Sequence, residues 1–144
     1  MAGPLSGLRI TDFTWAVAGP TCTKLFADMG AEVIKIEARN RQDLMRIYVN
    51  NYDDIADPFP YGAFDSLNRG KLGLTVNARH PEGLALLKDL IAISDVVTEN
   101  FRAGVLDRWG LTYAEMQRLK PDIIFLSLSG YGQDGPYKDY RCLF

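Results

Sequence analysis

Leu8-Arg9-Ile10-Thr11-Asp12-Phe13-Thr14 alternates apolar and polar residues, then runs through Ala16-Val17-Ala18 into Gly19-Pro20. Thr21 to Met29 follows, then Gly30, then Glu32-Val33-Ile34-Lys35-Ile36-Glu37. The first run predicts a strand, Gly19-Pro20 the turn into a helix, and Leu25, Phe26 and Met29 an apolar face at three- and four-residue spacing. Gly30 can end that helix in a left-handed conformation, and Glu32 to Glu37 supplies a second strand. The first 37 residues therefore predict one βαβ unit.

Outward from that unit, Arg39 to Asn68 loses sustained periodicity, apart from a short helix near Gln42 to Ile47. Its aromatics, Tyr48, Tyr52, Phe59, Tyr61 and Phe64, predict a surface packed against something else. Regularity returns with a strand at Leu72 to Val76 and a helix from Pro81 to Ile93, where proline suits the first turn. Asp95 to Glu99 predicts a short strand. Thr112-x-x-Glu115 is a capping box opening a helix to Leu119, and Ile123 to Ser129 predicts a fully buried strand. This alternation implies an α/β fold, a parallel sheet with helices on its faces. Ligands of open parallel sheets gather beyond the carboxyl ends of the strands. That directs attention to Ala16–Pro20, Ala38–Arg41, Asn77–His80, Asn100–Arg108 and Gly130–Pro136.

The composition narrows the function classes. The chain has 144 residues, 47% hydrophobic and 24% charged, enough for one domain with a real core. Its net charge of -2 argues against a broad nucleic-acid binder. Two cysteines, Cys22 and Cys142, and one histidine, His80, argue against a disulfide scaffold and a metal site. The longest apolar run, Ile123 to Leu128, is interrupted by Ser127 and falls far short of a membrane span. The amino terminus lacks a secretory pattern, so the cytoplasm is the expected compartment.

Val17-Ala18-Gly19-Pro20 offers backbone amides at a helix amino end, where an anion or polar acyl group is favoured; a plain joint between strand and helix is the competing reading. No Gly-x-Gly-x-x-Gly or phosphate-loop signature occurs. Arginines follow the strands: Arg39 the second, Arg79 the third, Arg102 and Arg108 the fourth. Each can clamp a phosphate, so together they suit a ligand with several phosphates; taken singly, each also reads as solvated charge. Asn100-Phe101 offers an amide and a ring, or a structural Asx-turn. His80, Cys22 and Asp12 are expected to be a capping or surface group, a half-buried thiol and a local hydrogen-bonding group, and no nucleophile stands out.

The motifs combine into a family pattern: Pro4-Leu5-Ser6-Gly7-Leu8-Arg9-Ile10-Thr11-Asp12-Phe13-Thr14, Ala18-Gly19-Pro20, Leu25 to Glu37, Leu67-Asn68-Arg69-Gly70-Lys71, Pro81-Glu82-Gly83, Asp95 to Gly104, Leu106 to Gly110, and Ser129 to Pro136. The chain resembles the family III coenzyme A transferases, the formyl-CoA transferase and CaiB/BaiF group. The resemblance implies a Rossmann-like parallel sheet with helices on both faces, part of a larger interlocked-dimer fold. It also implies movement of coenzyme A between carboxylic acids through an aspartyl-acyl intermediate, with the aspartate lying beyond Phe144. Residues 1–141 then form the amino-terminal CoA-binding part, and residues 142–144, where the family continues with a Gly-Tyr-Asp-like stretch, an aberrant or truncated end.

By family position, Val17 and Ala18 lie near the thioester, Val76 and Arg79 near the adenosine, Asn100, Phe101 and Arg102 along the pantetheine and phosphates, and Arg108 on the phosphates. Arg39 is the nearest counterpart of a family arginine that falls one residue earlier, at Ala38. The implied partners are acyl-CoA, a carboxylic acid and a second copy of the full-length chain, with no metal, nucleic acid or membrane. The fragment alone is expected to be inactive. Val17 stands where some formyl transferases carry glutamine, which disfavours formyl or oxalyl specificity. Two alternatives are a 2-methylacyl-CoA racemase branch, disfavoured because no histidine follows His80, and a non-catalytic fragment that binds CoA or a partner.

Overall fold

The strand that opens the chain, β1 (Arg9–Asp12), ends at the middle of a five-stranded sheet, and the chain leaves it in both directions in turn. In the computed structural model, which describes residues 3–48, 62–140 and 142, β1 is followed by α1 (Ala18–Asp28), β2 (Glu32–Glu37), α2 (Met45–Tyr48) and α3 (Gly62–Asn68). Then come β3 (Leu72–Thr75), α4 (Pro81–Ala92), β4 (Val96–Glu99), a 3-10 turn (Asp107–Trp109), α5 (Tyr113–Leu119) and β5 (Ile124–Ser127). The strand order is β3-β2-β1-β4-β5 and every pairing is parallel. This is a Rossmann-like α/β sheet, and its order reverses between β1 and β4.

The register explains the two cores. Ile10 sits beside Val33 on one side and Val96 on the other. This row packs with Ala31, and Phe26 and Ala27 of α1 close over it. On the opposite face, Phe13, Ile36 and Val97 pack with Leu87 and Ile91 of α4 and Met116 of α5. Two residues further along the α1 face, the next row is Asp12, Lys35 and Thr98, polar yet fully buried. The sheet therefore turns polar inside, just beneath its carboxyl edge.

Several expectations hold in detail. Thr112 caps α5, its hydroxyl accepting from Glu115 N at 3.2 Å. Gly30 closes the turn after α1 with φ +98°. Three readings change. Helix α1 begins at Ala18 rather than Thr21, because Pro20 lies within the first turn, where its missing N–H costs nothing. Helix α3 and the 3-10 turn were not foreseen. Strand β5 is an edge strand with Ile124 60% exposed, so its apolar run reflects one covered face and not burial on both. Of the aromatics in the central excursion, which were expected to form a surface for a partner, Phe64 is instead buried within this chain beneath Arg46 and Lys35, while Tyr52, Phe59 and Tyr61 and the side chain of Tyr48 lie outside the described residues. Among the described residues no helix is long and apolar enough to cross a membrane.

Candidate functional site

The chain passes from β1 to α1 through residues 13–17, at the point where the strand order reverses, and side chains from elsewhere secure this loop. Phe13 N donates to Thr98 O (2.8 Å), and Thr14 N to Asp12 Oδ1 (2.9 Å). Asn100, just past β4, holds both polar groups of Trp15: its Oδ1 accepts from Trp15 N and its Nδ2 donates to Trp15 O, each at 2.7 Å. Ala16 N donates to Asp43 Oδ1 (3.0 Å), and Lys35 Nζ donates to Thr14 O (2.7 Å). Ala16 itself has φ +61°. Beyond it Val17 is the N-cap of α1 and makes no side-chain capping hydrogen bond, and Val17 and Ala18 are exposed with the helix dipole behind them.

Two buried ion pairs support the loop from below. Lys71 Nζ lies 3.1 Å from Asp12 Oδ2 and also donates to Thr23 Oγ1, Asn68 Oδ1 and Pro20 O. Burial pulls the Lys71 ammonium below the ordinary lysine range, against the raising effect of Asp12. Lys35 Nζ pairs with Asp43 Oδ2 at 2.8 Å, with both side chains almost fully buried. Asp43 is tied back to β2 through Asp43 N and Glu37 Oε1 (2.9 Å), and Glu37 grips Arg46, whose guanidinium stacks on Phe64 at 3.4 Å. Burial pushes the Glu37 carboxyl up, but the Arg46 hydrogen bond and the Asp43 amide hold it below its ordinary value.

Two clefts open along the carboxyl edge, one on each side of this loop. The first, about 520 Å³, lies beyond β2 and β3 and is lined by Arg39, Asn40, Thr75, Val76 and Asn77. The second, about 150 Å³, lies beyond β4 and β5; its walls include Phe101, Arg102, Ser129, Tyr131, Lys138 and Tyr140. Ser129 Oγ there is buried with no hydrogen-bond partner among the described residues. Three strand spacings, about 14 Å, separate the two clefts.

A protein-family model described as CoA-transferase family III matches residues 5–143. The chain belongs to that family. It is 41% identical over 141 residues to an acyl-CoA transferase of Fusarium pseudograminearum, covering 94% of this chain and 31% of that protein. It is 40% identical over 141 residues to a formyl-CoA:oxalate CoA-transferase of Afipia carboxidovorans, covering 98% of this chain and 32% of that one. The crystal structure of a CAIB/BAIF family protein from Brucella suis superposes with a TM-score of 0.86 at 34% identity, over 98% of this chain and 37% of its own. The chain thus spans about a third of the length of the relatives it matches.

In this family III chain the candidate residues all fall along the carboxyl edge, but not in one cleft. Arg39 and Val76 line the first cleft, and Asn100, Phe101 and Arg102 the second. Val17 and Ala18 are exposed at the head of α1, between them. Arg79, exposed in the turn before α4, and Arg108, in the 3-10 turn, line neither. Arg102 Nη1 donates to Asp139 O at 3.2 Å. The Asn100 amide is engaged by Trp15, which makes it a clamp on the loop. The Phe101 ring sits edge-on between Trp15 (5.5 Å) and Trp109 (5.8 Å).

Glu99, 4% exposed beneath the second cleft, accepts from Phe101 N at 2.6 Å and from the Ser127 hydroxyl, and its burial pushes the carboxyl above the ordinary range. Among the described residues no group of histidine, cysteine, aspartate and glutamate is arranged to hold a metal. Sequence reasoning missed Asp43, Lys35 and Lys138. Lys35 carried a signal, being a lysine inside a strand whose neighbours are apolar. Asp43 carried none, since its role depends on a contact 27 residues away.

Proposed function

We propose that this chain is the coenzyme A-binding, amino-terminal part of an enzyme that moves coenzyme A between carboxylic acids. One observation carries the reading: two clefts with cationic walls, Arg39 in one and Arg102 with Lys138 in the other, flank a pinned loop at the reversal point of the sheet. A long thioester carrier with phosphates at one end and a reactive acyl group at the other matches such a divided site better than a compact ligand does. In this reading the adenosine and its phosphates lie along Arg39, Val76 and Arg79, with Arg102 and Arg108 contributing further charge. The pantetheine runs past Asn100 and Phe101, and the thioester meets the head of α1 at Val17 and Ala18.

The chemical step needs a carboxylate nucleophile, which we place in the part of the family's length that this chain does not span. That carboxylate attacks the acyl-CoA carbonyl and releases the CoA thiolate, which stays bound through the cationic edge. The attack leaves a mixed anhydride of the enzyme carboxylate and the donor acyl group; the thiolate attacks its enzyme-side carbonyl, which expels the donor carboxylate and gives an aspartyl thioester. The incoming carboxylate attacks that thioester carbonyl, forming a second mixed anhydride and releasing the thiolate, which then attacks the acceptor-side carbonyl to give the new acyl-CoA and free the enzyme carboxylate. The complete protein works as a homodimer in the cytoplasm. The test is a paired assay on the 144-residue protein with succinyl-CoA and acetate. Saturable binding without formation of acetyl-CoA is expected; measurable transfer would show that the reactive carboxylate lies in this chain, and no binding would overturn the reading.

A further inference from the structure

Among the described residues Ala16 is the only non-glycine with positive φ, +61°, a left-handed conformation that is disfavoured for an L-residue with a side chain. It stands directly before Val17, the N-cap residue of α1. One buried side chain from a distant segment meets it. Asp43 Oδ1 accepts from Ala16 N and from Met45 N, each at 3.0 Å, so the same oxygen fixes the loop and the start of α2. Its second oxygen faces Lys35, and the Lys35 ammonium in turn takes Thr14 O, two residues before Ala16. A fully buried ion pair is seldom retained for stability alone, since a well-packed apolar pair often does as well. An apolar pair could not, however, satisfy an amide and a carbonyl on the same turn of backbone.

From this geometry we propose that Asp43 is a positioning residue that holds Ala16 in its left-handed conformation and thereby aims the uncapped amino end of α1 at the thioester. The proposal rests on the CoA-binding reading above. Released from Asp43, Ala16 relaxes to negative φ, and the first amides of α1 turn away from the edge where the two clefts open. The Glu37, Arg46 and Phe64 contacts that fix the 38–48 segment hold Asp43 where it can reach the loop.

The experiment compares Asp43→Ala with Asp43→Ala/Ala16→Gly in the 144-residue protein, using CoA as the titrant and the backbone shifts and HN–Hα coupling of residue 16 as a ligand-free readout. Asp43→Ala is expected to release Ala16 from positive φ and weaken CoA binding at least tenfold. Glycine adopts positive φ without that cost, so the double variant is expected to recover affinity to within about threefold; a general loss of structure would not be rescued this way. Where Asp43→Ala does not fold, Asp43→Asn, which keeps the acceptor, is expected to keep residue 16 left-handed and the affinity within threefold. Residue 16 unchanged in Asp43→Ala, affinity that glycine does not restore, or a tenfold loss in Asp43→Asn would overturn the proposal. If the unsubstituted chain does not bind CoA, the CoA reading falls, and the φ of residue 16 alone decides whether Asp43 is its anchor.

Discussion

Asp12 and Lys71 form an ion pair with Oδ2 and Nζ 3.1 Å apart, and neither side chain reaches solvent. Thr14, Thr23 and Thr98 fill the remaining acceptor positions of Asp12, and Asn68 Oδ1, Thr23 Oγ1 and Pro20 O share the ammonium protons of Lys71 with Asp12. Removing one member leaves the other as an uncompensated buried charge, which costs about 3–5 kcal/mol. Lys71→Met is therefore expected to destabilise the protein by that amount in urea unfolding. A loss below about 1 kcal/mol would mean that water reaches Asp12.

Gly19 lets α1 approach the loop. A Cβ there would lie 2.4 Å from Thr14 Cβ and 3.1 Å from Asn100 Cγ, so both partners of the loop would have to move. Gly19→Ala is expected to lower stability by about 1–3 kcal/mol through overpacking, although alanine is the better helix former. It should also change the near-ultraviolet circular dichroism, because Trp15 depends on Asn100. An unchanged melting temperature would contradict the close approach.

Glu99 gives a pH dependence with a definite sign. Its ordinary value is 4.5, and burial raises it in the fold. Between the two values the folded chain keeps a proton that the unfolded chain has released, so this group's contribution to stability falls as pH rises through the window and is level above it. Glu99→Gln removes the titration. Unfolding free energies measured from pH 4.5 to 7 are expected to decline less steeply with pH in Glu99→Gln than in the parent; parallel curves would contradict the raised value.

The residues that carry the sheet were legible because burial leaves a periodic trace. Ile10, Val33 and Val96, and on the other face Ile36 and Val97, recur in the strand patterns that predicted the architecture. Edge position leaves no such trace: the apolar run at β5 looks the same whether one face or two are covered, so Ile124 was expected inside. Helix α3 was obscured because its buried residues include Asn68, which bonds Phe64 O, instead of an apolar stripe. At the candidate site, Arg39, Arg102 and the Asn100-Phe101 pair were legible as residues that follow strands closely, and they line the two clefts, whereas Arg79 and Arg108 line neither. The Asp43 contact with Ala16 was not, because it joins residues 27 apart and depends on one left-handed φ that sequence does not encode for alanine.

Guanidinium groups along the carboxyl edge are proposed to hold a polyphosphorylated thiol carrier, and the decisive experiment is calorimetric titration of the 144-residue protein with CoA and with 3′-dephospho-CoA. Saturable CoA binding is expected, with a loss of about tenfold without the 3′-phosphate and a further loss of about tenfold in Arg39→Ala, each worth ~1.4 kcal/mol. Equal affinity for the two ligands, or CoA binding indifferent to Arg39 and Arg102, would contradict that proposal.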